Sequence, residues 1–207
     1  MFINLGLVKV IKAVTVNGSG VNMIKFMHKK LPEQCIFLMA SRLIREKGVM
    51  EYLDASRLLK KSFPEVRFQL IGPFDTVTKD DIEPYVLDGT IEYFGEVTNI
   101  EDYYANSSVL VLPSYYREGV PRTILEAMSA GRPIITTDTP GCRETVENGV
   151  NGFLIQPRSV EDLVDKMKWI IEHKEDTAIM GRNSRILCEK KFDVSIINKK
   201  MMEVLKL

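Results

Sequence analysis

Short apolar runs alternate with longer amphipathic stretches along the chain from about Cys35 onward. This alternation is typical of repeated β-α units around a parallel sheet. Each predicted strand is brief, apolar and bounded by turn residues, as buried strands of a parallel sheet should be. The pattern therefore predicts an α/β, Rossmann-like parallel sheet flanked by helices, with strands at 36–41, 66–71, 91–94, 109–112 and 134–137.

In the segments between these strands, apolar residues recur at helical spacing. This spacing predicts helices over 47–62, 100–105 and 123–130. Gly131 and Pro133 should end the third of these, since glycine favours a helix cap and proline cannot continue a helix. From a helix start at Ser159 to the C-terminus the pattern is only helical. Residues of about 159–207 are therefore expected to form a helical annex.

The last predicted helix, 196–207, carries one apolar stripe, formed by Ile197, Met201, Val204 and Leu205. Such a stripe needs an apolar surface to lie against. Packing on its own domain is the interpretation we favour, and contact with a membrane or a partner is the alternative.

Charge and composition narrow the functions that this fold could serve. Lys plus Arg and Asp plus Glu each number 28 among the 207 residues, so the formal net charge is zero. This balance argues against a nucleic acid or an anionic lipid surface held by bulk charge. Affinity for an anion must therefore come from a few placed cations.

Cysteine usage and hydropathy indicate the compartment. Cys35, Cys142 and Cys188 form no C-x-x-C pair, which argues against a disulfide framework and a zinc site. The longest apolar run, 35–40, has six residues, whereas a membrane-spanning helix needs about 18. The first residues lack the features of a signal peptide. We therefore expect a cytoplasmic protein in a reducing environment.

The first candidate loop, 17–22, contains Gly18 and Gly20. Two glycines two positions apart let the backbone turn tightly and approach a ligand, because no Cβ blocks the approach. Such turns also occur in ordinary loops, so these residues alone leave both interpretations open. The pattern is not GxGxxG and predicts no dinucleotide site.

The second candidate segment, 41–48, contains Arg42 and Lys47. It lies at the carboxyl end of a predicted strand, the edge at which open α/β sheets bind ligands. A cation at a helix N-terminus opposes the helix dipole, and an anionic ligand would compensate for this. Arg42 offers a planar fork and Lys47 a point charge, so the segment predicts a phosphate site. The alternative is that both side chains are merely solvated.

The third candidate segment, 113–128, follows a predicted buried strand. Pro121 should open a helix where its missing N–H costs nothing, and the free N–H groups near the helix start then face a ligand. Glu118 and Glu126 could reach two parts of one elongated ligand. Carboxylates accept hydrogen bonds from hydroxyls, so a sugar is the expected partner. The alternatives are a helix-start carboxylate for Glu118 and an exposed helix residue for Glu126.

Together these segments resemble the C-terminal, donor-binding domain of retaining family 4 glycosyltransferases, which have the GT-B fold. The order of the segments and their strand-to-helix contexts match the family. The resemblance extends over nearly the whole chain. The segments that match the family are residues 17–22, 41–48, 117–121, 125–135, 141–144 and 148–154.

The resemblance implies a nucleotide-diphosphate sugar, UDP- or GDP-linked, as the co-substrate. Arg42 and Lys47 would hold the diphosphate and stabilise the leaving group, Glu118 would bind the sugar hydroxyls, and Glu126 would hold the ribose. Retention in this family needs no mandatory metal, so no cofactor is expected. Polysaccharide assembly is the family's common setting. The other donor-binding residues that the resemblance implies are Gly18, Gly20, Val97, Gly119, Val120, Pro121 and Thr123.

GT-B enzymes hold the acceptor mainly with a second, N-terminal domain, which we expect to be absent from this chain. Residues 1–16 would be a remnant of the interdomain segment and first strand, and 17–207 the nucleotide-sugar-binding domain. We expect weak or undetectable transfer by the chain alone, and peripheral membrane association only through the acceptor. The alternatives are a non-catalytic nucleotide-sugar-binding module and a GT-B epimerase, for which His28 and His173 lie in no suitable loop.

Overall fold

The computed structural model describes residues 18–117 and 119–205, within which six parallel strands form one sheet. The five predicted strands are confirmed to within one residue at each end, and a sixth strand was not predicted. The order across the sheet is β3-β2-β1-β4-β5-β6. The strands are β1 (Ile36–Ala40), β2 (Arg67–Ile71), β3 (Glu92–Tyr93), β4 (Val109–Leu112), β5 (Ile134–Thr137) and β6 (Gly152–Ile155).

Helices cover both faces of this sheet, which explains why every residue of β1, β4 and β5 is buried. Helix α1 packs against α5, and α4 packs against α6. Single turns of 3-10 helix lie at Arg45–Lys47 and Arg143–Thr145. The α-helices are α1 (Val49–Ser62), α2 (Lys79–Leu87), α3 (Ile100–Asn106), α4 (Arg122–Ser129), α5 (Val160–Glu172), α6 (Lys174–Lys191) and α7 (Val194–Leu205).

Two helix boundaries show how glycine shapes the fold. The predicted helix 47–62 begins only at Val49, because Gly48 takes a left-handed φ of 79° between the 3-10 turn and α1. Helix α4 ends as predicted, since Gly131 has φ 76° and its N–H donates to the carbonyl of Met128. Glycine accepts both conformations without the Cβ penalty that other residues incur.

The chain order reverses at β1, which pairs with β2 on one side and β4 on the other. Ligands of open α/β sheets bind outside the carboxyl ends of the strands at this kind of switch point. The segment after β1 and the segment after β4, both singled out from the sequence, therefore meet at one edge of the sheet.

The helical annex is present as predicted and consists of α5, α6 and α7. The Ser159 hydroxyl accepts a hydrogen bond from the Asp162 N–H at 3.1 Å, which caps the start of α5. In α7 the expectation of packing on its own domain holds at Ile197, whereas Met201 and Val204 stay about half exposed in the described part of the chain. No helix within residues 18–117 and 119–205 is long and apolar enough to cross a membrane.

Candidate functional site

The segments that follow β1 and β4 are joined through their backbones. A Cβ on Gly48 would lie 2.3 Å from the carbonyl oxygen of Pro113, so only glycine fits this crossing. The Tyr115 N–H donates to the carbonyl of Glu46 at 2.8 Å. The predicted phosphate segment and the predicted sugar segment are thus parts of one rigid edge.

Arg42 leaves β1 beside the loop that follows β2. Its Nη1 lies 3.2 Å from Asp75 Oδ2, and both side chains are well exposed to solvent. Exposed pairs of this kind contribute only about 0–1 kcal/mol. An anionic ligand could therefore draw Arg42 away from Asp75 at little cost.

Lys47 ends the 3-10 turn ahead of α1 and lies close to the segment after β4. Its Nζ is 5.3 Å from the centre of the Tyr116 ring, within cation-π range. This contact places the lysine charge beside the segment that leads to Gly119 and Val120. The two predicted phosphate cations thus flank the switch point, Arg42 near β2 and Lys47 near β4.

A small cavity of about 160 Å³ opens at the carboxyl ends of β1 and β2. Three of the predicted donor residues, Val97, Thr123 and Glu126, line it together. Gly72 also lines it, with a φ of 139° and no room for a Cβ, which would lie 1.8 Å from the Ser41 carbonyl oxygen. The remaining lining residues are Ala40, Ser41, Ile71, Glu96, Ile100 and Tyr104.

Glu126 is the buried carboxylate of this cavity, with only 8% of its surface exposed. The Tyr104 hydroxyl donates to its Oε2 at 3.2 Å, and Arg122 Nε donates to its Oε1 at 3.1 Å. Burial raises the pKa of Glu126, against the opposing effects of Arg122, Tyr104 and Lys25. The alternative that Glu126 is an exposed helix residue is wrong, because α3 packs over its side of α4.

A second, larger cavity of about 700 Å³ lies on the other part of the same edge. It brings together Gly18, Gly119 and Val120, three further predicted donor residues. A Cβ on Gly119 would meet no other atom within 4 Å, so its backbone is open to this space. The charged residues that line the cavity are Arg143, Glu144, Glu147 and Lys191.

Three predicted site residues lie elsewhere or outside the structural description. Gly20 is buried against α7, where a Cβ would lie 2.8 Å from Val194 Cα, and it lines neither cavity. Pro121 is the N-cap of α4, one position earlier than its predicted place inside the helix. Glu118 falls outside the described residues.

Two side chains at Glu126 were not singled out from the sequence. Arg122 stands four positions before Glu126 on the same helix, a spacing that could have suggested the pair. Tyr104 is 22 positions away on α3, so only the fold brings it to the carboxylate. Its own pKa is raised well above the usual range, chiefly by burial and also by the Glu126 charge.

The two histidines line neither cavity. His28 packs on Gly131 at the far end of α4 from the site, and His173 stacks on Trp169 with ring centres 4.4 Å apart. The site thus lacks a histidine acid or base in its two described cavities.

The family model described as "Glycosyl transferases group 1" matches residues 22–187. This chain belongs to that family. An N-acetylgalactosaminyltransferase that acts on N,N'-diacetylbacillosaminyl-diphospho-undecaprenol in Campylobacter jejuni is 28% identical over 87% of the chain and 50% of its own length. The capsular polysaccharide glycosyltransferase CapM of Staphylococcus aureus is 26% identical over 82% of the chain and 45% of its own length.

The solved structures agree with the family and the GT-B fold. The Anabaena protein HepE in complex with UDP has a TM-score of 0.86 and 25% identity, and the match covers 99% of this chain and 60% of HepE. The C-terminal domain of LpcC from Francisella tularensis shares the fold, with a TM-score of 0.73 at 22% identity over 84% of this chain and 99% of that domain. The chain spans about half the length of the curated relatives that it matches.

Proposed function

We propose that this chain is the donor-binding half of a retaining glycosyltransferase of family 4 type, with a nucleoside diphosphate sugar as its donor. The observation that carries the proposal is the buried carboxylate of Glu126 beside a small cavity at the switch point. A buried carboxylate is costly unless its oxygens are hydrogen-bonded, and Tyr104 and Arg122 each use only one lone pair of the Glu126 oxygens. Two ribose hydroxyls are suitable donors for its remaining lone pairs.

With the ribose at Glu126, the positions of the base, the diphosphate and the sugar can be proposed. The base would lie on the apolar side of the small cavity, near Val97 and Ile100. The diphosphate would lie between Arg42, Lys47 and the free N–H groups at the start of α4. The sugar would enter the larger cavity beside Gly119 and Val120, where Glu118 would bind its hydroxyls.

Uracil is favoured over guanine as the base of the donor. Structures of HepE hold UDP and UDP-glucose, and the HepE fold matches this chain over nearly its full length. The residues that would contact the base through side chains, Val97 and Ile100, are apolar and select neither base by hydrogen bonding. The donor is therefore proposed as UDP-linked, with GDP-linked donors as the alternative to be tested.

In the transfer step the bond between the anomeric carbon and the diphosphate oxygen breaks, and its electron pair leaves with the diphosphate. The acceptor oxygen then bonds to the anomeric carbon on the same face, and its proton leaves with the displaced diphosphate. Arg42, Lys47 and the start of α4 would offset the negative charge that develops on the leaving group. A bound magnesium ion fills the same electrostatic role in other enzymes, and we propose that these groups fill it here without a metal.

The acceptor would be held by an N-terminal domain outside this chain, on the cytoplasmic side of a membrane when the acceptor is lipid-linked. The capsular and lipid-linked glycan enzymes among the relatives support polysaccharide assembly as the setting. The chain alone should therefore bind the donor, but it should transfer the sugar only weakly or not at all. A non-catalytic nucleotide-sugar-binding module is the alternative that shares the same site.

Calorimetric titration with UDP, UDP-glucose and GDP tests the proposal. We expect one site for the UDP ligands and weaker binding of GDP. Arg42→Ala should weaken UDP binding at least about 10-fold, as for loss of a charge-assisted phosphate contact. Arg45→Ala is the matched control, because Arg45 is an equally exposed arginine paired with Asp81 at 3.0 Å, and it should change the affinity less than about twofold.

Two outcomes would count against the account. If none of the three nucleotides binds, the donor site itself is wrong. If UDP binds but addition of the N-terminal half of a related enzyme never yields transfer, the non-catalytic module is the better account.

A further inference from the structure

A polar groove of about 290 Å³ lies on the α3 side of the sheet. Its floor is the start of the two strands β1 and β2, where Ile36 and Arg67 are register partners and Gln69 follows. None of its lining residues lines either cavity of the donor site. The walls are formed by Phe94, Asn99, Asp102, Tyr103 and Asn106.

The positive charge of Arg67 on the floor of the groove is neutralised by Glu92. Arg67 donates from Nε and Nη2 to the two carboxylate oxygens of Glu92, at 2.6 and 2.5 Å. Gln69 adds a third hydrogen bond to the same carboxylate at 3.2 Å. A bidentate arginine fixed in this way is not available to an incoming phosphate. The groove therefore suits an uncharged ligand rather than an anion.

Two aromatic rings form an angled wall of the groove. Phe94 and Tyr103 have ring centres 5.2 Å apart and planes at 59° to each other. Phe94 keeps 39% of its surface exposed, so part of its side chain is open to a ligand in the groove. The face of an aromatic ring carries negative charge density. It is therefore complementary to the C–H faces of pyranose rings, which are positively polarised.

Hydrogen-bonding groups with no protein partner surround these rings. Within residues 18–117 and 119–205 no protein group bonds to the Tyr103 hydroxyl or to the Asn106 amide. The Asn99 amide donates to Asp102 at 3.1 Å, which leaves its carbonyl oxygen open. Amide, hydroxyl and carboxylate groups together can both donate to and accept from vicinal sugar hydroxyls.

We infer that this groove is a second carbohydrate site that binds a stretch of neutral oligosaccharide, separate from the donor site. A pyranose would lie against Phe94 and Tyr103, with its hydroxyls directed at Asn99, Asp102 and Asn106. The site does not depend on the proposed transfer reaction, because none of its residues takes part in donor binding. In a glycan-building enzyme it would retain the growing chain on the domain that binds the donor.

A second aromatic pair on the same domain provides a matched control. Phe74 and Tyr93 have ring centres 5.0 Å apart, and Phe74 is 41% exposed. The groove beside them is lined by Ile82, Val86 and Leu87 together with Lys79 and Glu83, and it offers no amide. Phe74 thus matches Phe94 in size, pairing and exposure but has no amide side chain in its groove.

The test is saturation-transfer NMR of the full chain with three neutral hexasaccharides, maltohexaose, cellohexaose and chitohexaose. At least one should bind with a dissociation constant of about 1 mM or tighter, as weak single-groove sites do. Phe94→Ala and Asn106→Ala should each weaken that binding at least about fivefold. Phe74→Ala should leave it unchanged, and UDP affinity should stay within about twofold in all three variants.

Three results would overturn the inference. The first is the absence of any saturation transfer with all three hexasaccharides at about 10 mM, which is tenfold above the expected constant. The second is an equal loss of binding in Phe74→Ala. The third is displacement of the hexasaccharide by saturating UDP, which would place it in the donor site. Because UDP binding is measured separately, failure of this groove and failure of the donor site are distinguishable.

Discussion

The hydroxyl of Tyr104 donates to Glu126 Oε2 at 3.2 Å, and this bond holds a buried carboxylate that lines the small cavity. Tyr104 is fully buried on α3, and Glu126 lies one turn inside α4. The bond therefore ties together the two helices that follow β3 and β4. It fixes the carboxylate in one orientation toward the proposed ribose.

Glu126→Gln should stabilise the fold and weaken donor binding. Burial raises the pKa of Glu126, so the folded chain favours the protonated carboxyl, and the stability from this group is lost as the pH rises through its folded pKa. At pH 7 the uncharged amide should therefore raise the free energy of unfolding, because it removes the desolvation cost of the charge, which is the largest effect on the pKa of Glu126. UDP affinity should fall about 10-fold or more, because hydrogen bonds to a charged group are lost.

Thermal unfolding and calorimetry at several pH values check this prediction. The stability advantage of Glu126→Gln should disappear near pH 4, where the native carboxyl is protonated. In the wild-type chain UDP affinity should decline on acidification at a pH above the usual glutamate pKa of about 4.3. A glutamine variant that is less stable at pH 7 and binds UDP normally would contradict the role given to Glu126.

Asp75→Asn should strengthen UDP binding. Asp75 holds Arg42 in an exposed ion pair at 3.2 Å, and the asparagine would release the guanidinium for the diphosphate. The expected gain is no more than about fivefold, in line with the about 0–1 kcal/mol that such pairs contribute. A double-mutant cycle with Arg42→Ala measures the coupling by calorimetry. Equal effects of Asp75→Asn with and without Arg42 would show that the aspartate acts by another route.

Gly48→Ala should both destabilise the fold and weaken UDP binding. A Cβ there would lie 2.3 Å from the Pro113 carbonyl oxygen, at a φ of 79°. Gly89→Ala is the control, because its φ is 74° but a Cβ would meet nothing within 4 Å. The control should lose only the stability that a non-glycine residue costs in the left-handed conformation, about 1–2 kcal/mol.

Chemical denaturation and UDP titration compare these two glycine variants. Gly48→Ala should lose at least about twice as much stability as Gly89→Ala, because backbone must move to relieve the clash. Only Gly48→Ala should weaken UDP binding, since it alone lies between the two site segments. Similar stability losses in the two variants would mean that the crossing at Pro113 is looser than the structure indicates.

The thiols of Cys35 and Cys188 should be unreactive in the folded protein. Burial raises the pKa of each thiol to about 12. Because the thiolate is the nucleophile, the reaction of both with a disulfide reagent at pH 8 should be at least about 100-fold slower than in denaturant. Mass mapping of the labelled peptides checks this, and rapid native labelling at either position would contradict it.

The sequence predicts strands better than it predicts contacts. The runs at β1 and β4 are apolar on every residue, and β5 begins with two isoleucines, because both faces of the sheet are covered. That signal needs no knowledge of the fold. Helix α2 was missed because only Ile82 and Tyr85 are buried in it and Pro84 interrupts its pattern. Strand β6 is short and starts at a glycine, so its apolar signal is weak.

In the site, too, the residues at the ends of strands could be predicted and the contacts between elements could not. Arg42 and Lys47 could be found because they follow a predicted strand, and the edge of the sheet is where ligands bind. The burial of Glu126 could not, because it depends on Tyr104 and on the way α3 covers α4. The glycine spacing leaves the position of Gly20 open and only the family resemblance puts it at the donor cleft, whereas its neighbours in the fold are Val194 and Ile197.

A crystal structure of the chain soaked with UDP tests the central claim most directly. The account predicts ribose hydroxyls within hydrogen-bond distance of the Glu126 carboxylate, a base beside Val97, and a diphosphate contacted by Arg42 or Lys47. Uridine diphosphate bound with its ribose away from Glu126, or bound only in the larger cavity beside Arg143 and Lys191, would contradict the account.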